Sequence, residues 1–76
     1  MQIFVKLYGD LKRHAPGDQP HFTLNLDPGA TLKDIRRMLA IPKDQQVSLI
    51  NGRRSSPDAP VADGDTLVLL PPVSGG

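Results

Sequence analysis

A single stretch of this chain, Thr31 to Leu39, carries the three-to-four-residue apolar spacing of a helix, and that limit decides what the rest can build. Leu32, Ile35 and Leu39 fall on one stripe while Lys33, Arg36 and Arg37 point elsewhere. Thr31 is placed to cap the helix, with Asp34 three positions on as a variant of the capping box. Pro42 is expected to end it, because the residue before a proline is steered out of the helical region. One stripe covers one face of one sheet, so the remaining core must come from strands. Composition agrees: all 8 acids are Asp, none is Glu, and 8 Pro with 7 Gly in 76 residues favour turns and caps over long helices.

The strands announce themselves by alternation. From Gln2 to Tyr8, Ile3, Val5 and Leu7 share one face, with Phe4, Lys6 and Tyr8 on the other. A helical turn is expected over 11–15, followed by the breaker cluster Pro16-Gly17-Asp18-Gln19-Pro20. In the next run Phe22, Leu24 and Leu26 face inward, and His21, Thr23, Asn25 and Asp27 outward. The connection between these two runs fits antiparallel neighbours. Asp27-Pro28-Gly29 turns the chain into the helix. Val47 to Ile50 is a short strand running into the turn-forming Asn51-Gly52; residues 53–60 read as an irregular crossing loop; Asp63-Gly64-Asp65 is a sharp turn. Thr66 to Leu70 is the last strand, stopped by Pro71-Pro72. Strand, strand, helix, strand, strand, with one helix stripe, predicts an α+β fold: a mixed four- to five-stranded sheet packed on one main helix, the β-grasp arrangement, with the first and last strands side by side at its centre. Residues 1–70 form the domain and 71–76 a flexible tail.

Several function classes are excluded on composition and spacing. Leu, Ile, Val and Phe total 21 residues, enough for a folded core, but with no cysteine there is no disulfide or thiolate metal site to reinforce it. The longest aliphatic run, 67–70, falls far short of the ~20 residues of a membrane span, and the N-terminus lacks a basic-then-apolar signal pattern, so a cytoplasmic protein without membrane attachment is expected. His14 and His21 sit in or beside a polar loop and are read as solvent-exposed; no serine has a histidine at a suggestive spacing, and no metal-ligand grouping stands out. Asp27, Asp63 and Asp65 read as turn formers. The pairs Lys12-Arg13, Arg36-Arg37 and Arg53-Arg54 belong to different elements, only three aromatic residues are present, and the net charge is +1, which argues against a nucleic-acid partner.

The end of the chain is the most informative segment. Leu70-Pro71-Pro72-Val73-Ser74-Gly75-Gly76 leaves a strand through two stiff prolines and finishes on two glycines. Residues 71–76 reach at most about 20 Å, rigid at the root and without side chains at the tip, a shape that can thread a narrow channel and present a carboxylate inside another protein. On residue chemistry alone a frayed terminus fits as well.

Asn51-Gly52, Val61-Ala62-Asp63-Gly64-Asp65-Thr66-Leu67 and Pro71-Pro72-Val73-Ser74-Gly75-Gly76 together resemble the signature of the sulfur-carrier proteins of molybdopterin and thiamine biosynthesis, which are ubiquitin-like β-grasp domains. Leu7-Tyr8-Gly9-Asp10-Leu11-Lys12 is similar to the first strand and following turn of the molybdopterin synthase small subunit, and the proline pair leans the same way. The chain departs from that pattern in a short segment around 45–54 and in Val68 and Leu70, where aromatics are frequent in the family. The resemblance implies a carrier and not an enzyme. An ubiquitin-activating-like enzyme would adenylate Gly76 with ATP, sulfur would replace an oxygen, and the thiocarboxylate would donate it; no cofactor would be bound. Gly75, Ser74, Val73, Pro72 and Pro71 would lie in the active site of a larger molybdopterin synthase subunit, or of a thiazole synthase. A thiamine or tungsten-pterin pathway, a ubiquitin-like modifier joined to lysines through Gly76, and a plain binding module are the alternatives.

Two successive partners call for an exposed apolar patch beside the tail. Alternation puts Phe4, Tyr8, Val68 and Leu70 on the face opposite the core, with Lys6, Lys12 and Arg13 as rim charges.

Overall fold

A computed structural model describes residues 1–42 and 46–71. Its order is β1 (Gln2–Leu7), a 3-10 helix (Gly9–His14), a 3-10 turn (Pro16–Asp18), β2 (His21–Asn25), α1 (Leu32–Met38), β3 (Val47–Ile50), β4 (Arg53–Arg54) and β5 (Thr66–Leu70). The strands form one mixed sheet in the order β2-β1-β5-β3-β4, with β1 and β5 parallel and every other pair antiparallel. This is the β-grasp arrangement that the element order predicts. Among the described residues no helix is long and apolar enough to cross a membrane.

The core follows the alternation of the strands. Ile3, Val5 and Leu7 of β1 and Leu67 and Leu69 of β5 are buried together with Leu32, Ile35 and Leu39 of the helical stripe. Leu11, Leu26, Ile41 and Val61 close the ends of this layer, and Phe22 and Leu24 pack against it from β2. Removing this apolar surface from water is the main force holding the layers together, at about 25 cal/mol per Å².

Local chemistry sets the ends of α1. The Thr31 N–H donates to Asp34 Oδ2 (2.9 Å), and the Asp34 N–H donates to Thr31 Oγ1 (3.4 Å), a complete capping box. The Leu32 and Lys33 N–H groups, free in an isolated helix, donate to the carbonyls of Ala59 (3.1 Å) and Pro57 (2.9 Å). The C-terminal end differs from the expectation. Pro42 does not stop the helix; Ala40 does, two residues earlier, by taking a left-handed conformation at φ 57°. The Ala40 N–H donates to the Arg37 carbonyl (3.1 Å) and the Ile41 N–H to the Arg36 carbonyl (3.0 Å), the paired bonds of a Schellman ending. Arg36 Nη1 also donates to the Ile41 carbonyl (3.1 Å), which ties the turn to the helix.

Two further expectations are corrected. Residues 53–54, read as part of an irregular loop, form β4 and pair with β3 through Ile50↔Arg53 and Leu49↔Arg54. Asn51 (φ 50°) and Gly52 (φ 85°) are both left-handed, which makes a two-residue turn whose twist brings the next residues straight back along β3. His14, read as solvent-exposed, is half-buried, and its Nε2 is shielded with no partner. A 3-10 helix stacks side chains three apart, so His14 shares a side with the buried Leu11.

The aspartates at the base of the sheet are structural. Asp65 accepts from Asn51 Nδ2 (3.0 Å) and from the Ala62 N–H (2.8 Å), while Asn51 Oδ1 accepts from the Thr66 N–H (2.9 Å). Asp63 accepts from the Gln2 N–H (2.7 Å), joining the turn before β5 to the start of β1.

Candidate functional site

β1 and β5 bury one set of alternate residues under α1, β3 adds the half-buried Ile50 to that side, and all three strands turn the other set to an open face. The register defines three cross-strand rows there, because residues opposite each other share a face. The middle row runs His21, Lys6, Val68, Leu49, Arg54 across all five strands. Below it lie Thr23, Phe4 and Thr66. Above it, Leu70 of β5 is opposite Val47 of β3. Tyr8, just past β1, borders His21 with ring centroids 6.2 Å apart. Phe4 is 44% exposed and Tyr8 39%, whereas Val68, Leu70, Val47 and Leu49 are half-buried, and no second layer covers this face among the described residues.

Four apolar side chains expected here from sequence, Phe4, Tyr8, Val68 and Leu70, do lie on this one face, and Lys6 stands among them. Val47 and Leu49 belong to the same surface and were not expected. Their four-residue run is apolar without alternation, so only the register against β5 shows which of its residues face outward. Arg54 was missed for a related reason: it reaches the face only because the Asn51-Gly52 turn makes β4.

The root of the tail sits at one end of this face. Pro71 follows Leu70 and packs against Gly9, the first residue of the 3-10 helix. A Cβ on Gly9 would come 2.7 Å from Pro71 Cγ, and the backbone there has φ +60°, so the close approach and the conformation both favour glycine. The Tyr8 N–H donates to the Leu69 carbonyl (3.1 Å), holding the end of β5 beside the turn. Lys12 and Arg13 are exposed on that same 3-10 helix, near the tail root but outside the cross-strand rows. Pro72, Val73, Ser74, Gly75 and Gly76 lie outside the described residues.

No grouping of three or more His, Cys, Asp or Glu that could hold a metal occurs among the described residues. The Thr31 N–H bond holds the Asp34 carboxylate below the usual range; desolvation opposes this, and the Thr31 hydroxyl, Arg37 and Lys33 assist it. Its environment is that of a helix cap. A cavity of about 460 Å³ lies between α1 and the end of β4, lined by Lys33, Arg36, Val47, Ser48, Arg54 and Ser55 among others, so Val47 and Arg54 border it as well as the open face. It is lined by none of the residues expected to serve the tail. What the arrangement offers chemically is therefore an apolar docking face with a strand that delivers the chain end from its edge.

The sequence profile described as the ThiS family matches residues 5–76. No curated protein matches the chain. Among solved structures, SAMP1 from Haloferax volcanii is 27% identical over 100% of both chains, with a TM-score of 0.78. A subunit of the complex of subunits 1 and 2 of the molybdopterin-converting factor from Helicobacter pylori is 25% identical over 100% of both chains, with a TM-score of 0.67. A Pyrococcus furiosus protein described as a putative molybdopterin converting factor subunit 1 shares the fold with a TM-score of 0.78, at 21% identity over 95% of this chain and 98% of that one.

Proposed function

From the premise that the chain belongs to the ThiS family, the ubiquitin-like β-grasp sulfur carriers, we propose that it carries sulfur on its C-terminal Gly76, most directly for molybdopterin formation. The observation that supports this reading best is the junction of an uncovered apolar sheet face with the tail root: Leu70 closes the face and Pro71, packed on Gly9, starts the tail. Residues 1–70 are the docking domain and 71–76 the part that does chemistry.

The chemistry follows from the terminal group. A C-terminal carboxyl with a pKa near 3.5 is an anion at neutral pH and a poor electrophile. Attack of its oxygen on the α-phosphorus of ATP, with loss of pyrophosphate, makes an acyl adenylate; attack of hydrosulfide at the carbonyl then expels AMP, loses its proton and leaves the thiocarboxylate. ATP and the adenylating site belong to an ubiquitin-activating-like partner. Gly76 is the reacting residue and Gly75 a spacer with no side chain to block closure around it. Ser74, Val73, Pro72 and Pro71 would lie in the active site of a larger subunit, a reading supported by the likeness to a Helicobacter pylori protein that forms a complex of subunits 1 and 2 of a molybdopterin-converting factor. The protein itself is a carrier and co-substrate in the cytoplasm, with no bound cofactor and no nucleic-acid or membrane partner.

ATP–pyrophosphate exchange by the activating enzyme of the same organism tests the assignment. The intact chain supports exchange, and a chain lacking Gly75 and Gly76 keeps its fold but supports none. Equal exchange by both would contradict the role of the terminus. The likeness to the Haloferax volcanii proteins described as SAMP1 and as small archaeal modifier protein 1 supports a second reading, a modifier joined to lysines through Gly76. Gly-Gly remnants on target lysines, in cells that make no thiocarboxylate form, select it.

A further inference from the structure

The helix side of the sheet is apolar along β1 and β5 and changes character at β3 and β4. Ser48 lies opposite the buried Leu69, which places it on that side, and the Ser55 N–H donates to the Ser48 carbonyl (2.9 Å), which sets Ser55 next to it just past β4. Hydroxyls thus stand at two positions where a core layer would put apolar side chains. The neighbouring part of α1 carries Lys33 and Arg36, one turn apart and both half-buried. These four residues line the cavity of about 460 Å³ between α1 and β4, to which Arg54 adds a third cation and Leu32, Val47 and Pro57 an apolar lining.

The charge in this cavity has one sign, because no carboxylate belongs to its lining among the described residues. Asp34, beside Lys33 in α1, is engaged by the Thr31 N–H in the helix cap. Arg36 uses Nη1 on the Ile41 carbonyl, which anchors the guanidinium and leaves its remaining N–H donors for a ligand. The Leu32 and Lys33 N–H groups are already taken by the Ala59 and Pro57 carbonyls, so an anion here is held by side chains. Gln46 also lines the cavity, and its Oε1 is shielded from solvent with no hydrogen-bond partner, an acceptor that calls for a donor.

The geometry points to a binding site for a phosphate ester of mononucleotide size. Its phosphate is held by Lys33, Arg36, Arg54 and the Ser48 hydroxyl, its organic body rests on Leu32, Val47 and Pro57, and one of its hydroxyls donates to Gln46. Guanidinium groups suit this ligand because their paired N–H donors match two phosphate oxygens at once. Clefts of about 300–1,000 Å³ hold small organic ligands, so the cavity has room for more than a bare phosphate. The ligand is exchanged from solution, and the site stands whether or not Gly76 carries sulfur.

An NMR titration of the whole chain with AMP, adenosine and inorganic phosphate, following the backbone amide signals at about 50 and 300 mM salt, tests this. AMP is expected to shift the signals of Lys33, Ser48, Arg54 and Ser55 saturably, with a dissociation constant of about 1 mM or tighter at low salt. Phosphate should bind the same residues about tenfold more weakly, and adenosine more weakly still. Arg54→Gln and Lys33→Gln should each weaken AMP by about tenfold, whereas Lys6→Gln, the same charge change on β1 away from the cavity, should be nearly silent. The dispersion of each variant's spectrum reports its fold in the same experiment, and Arg54, exposed on a two-residue edge strand, remains informative if Lys33→Gln fails to fold. Shifts that do not saturate, that centre on another surface, or that weaken equally in all three variants would overturn the site. Phosphate binding as tightly as AMP would overturn the ester assignment, and adenosine binding as tightly as AMP would remove the role of the cations.

Discussion

The two faces of the sheet are made by the same strands and differ in what covers them. Residues 3, 5 and 7 of β1 are buried under α1 at 0%, 1% and 0% exposure, while their neighbours Phe4 and Tyr8 stand at 44% and 39% on the other side. One helix of Leu32–Met38 suffices for one face, and among the described residues no element covers the apolar side chains of the other. In a domain of 76 residues, where little of the unfolded surface is available to bury, leaving Phe4 exposed and Leu49, Val68 and Leu70 only half-buried gives up stabilisation that the fold could have used. The inner face therefore accounts for folding, and the outer face is free to serve recognition. Substitutions should separate along the same line.

The sharpest contrast comes from truncating the inner face. Ile35→Ala removes a fully buried side chain from the covering helix and should cost about 2–5 kcal/mol by chemical denaturation, comparable with much of the stability of so small a domain. A loss below 1 kcal/mol would mean the helix contributes little to the core. On the outer face the readout changes. Phe4→Ala should shift unfolding by less than about 1 kcal/mol yet weaken binding to the activating enzyme by about tenfold, measured by titration calorimetry. If it unfolded the domain without affecting binding by the folded fraction, the division between the faces would fail.

Smaller effects belong to the ends of α1. Ala40→Gly relieves the left-handed strain at the Schellman turn and should stabilise the domain by about 0.5–1 kcal/mol, with outer-face binding unchanged. The smallest effect is the pH response of the capping box. Because Asp34 titrates lower in the folded state than in the unfolded chain, its contribution is full above the unfolded value, near pH 4, and fades as pH falls through the lower folded value. Comparing acid denaturation of wild type and Asp34→Asn should show the two curves converging at the acid end; curves that diverge there would reverse the sign.

How much of this could be read from sequence depended on whether each signal was local. Alternation in β1 and β2 fixed their inner residues, and Thr31 with Asp34 marked the start of α1, because both signals reside in the residues concerned. The end of α1 was hidden because alanine gives no sign of a left-handed turn, and the conspicuous Pro42 drew the boundary past Ala40. β4 was hidden because Arg53-Arg54 has no alternation; its existence follows from the geometry of Asn51-Gly52 and from β3 as a template. The outward orientation of Val47 and Leu49 required the register with β5, a long-range fact. The candidate face was half legible for this reason: its β1 and β5 portion was marked by alternation, and its β3 and β4 portion appears only once the sheet is assembled.

The central claim is that the chain end carries sulfur, and intact-mass measurement tests it most directly. The protein is incubated with ATP, a sulfur source and the activating enzyme of the same organism, beside a chain lacking Gly76. A mass gain equal to one oxygen exchanged for one sulfur, absent from the shortened chain, is the predicted result. An unchanged mass, with an enzyme shown to be active on another carrier, would contradict it.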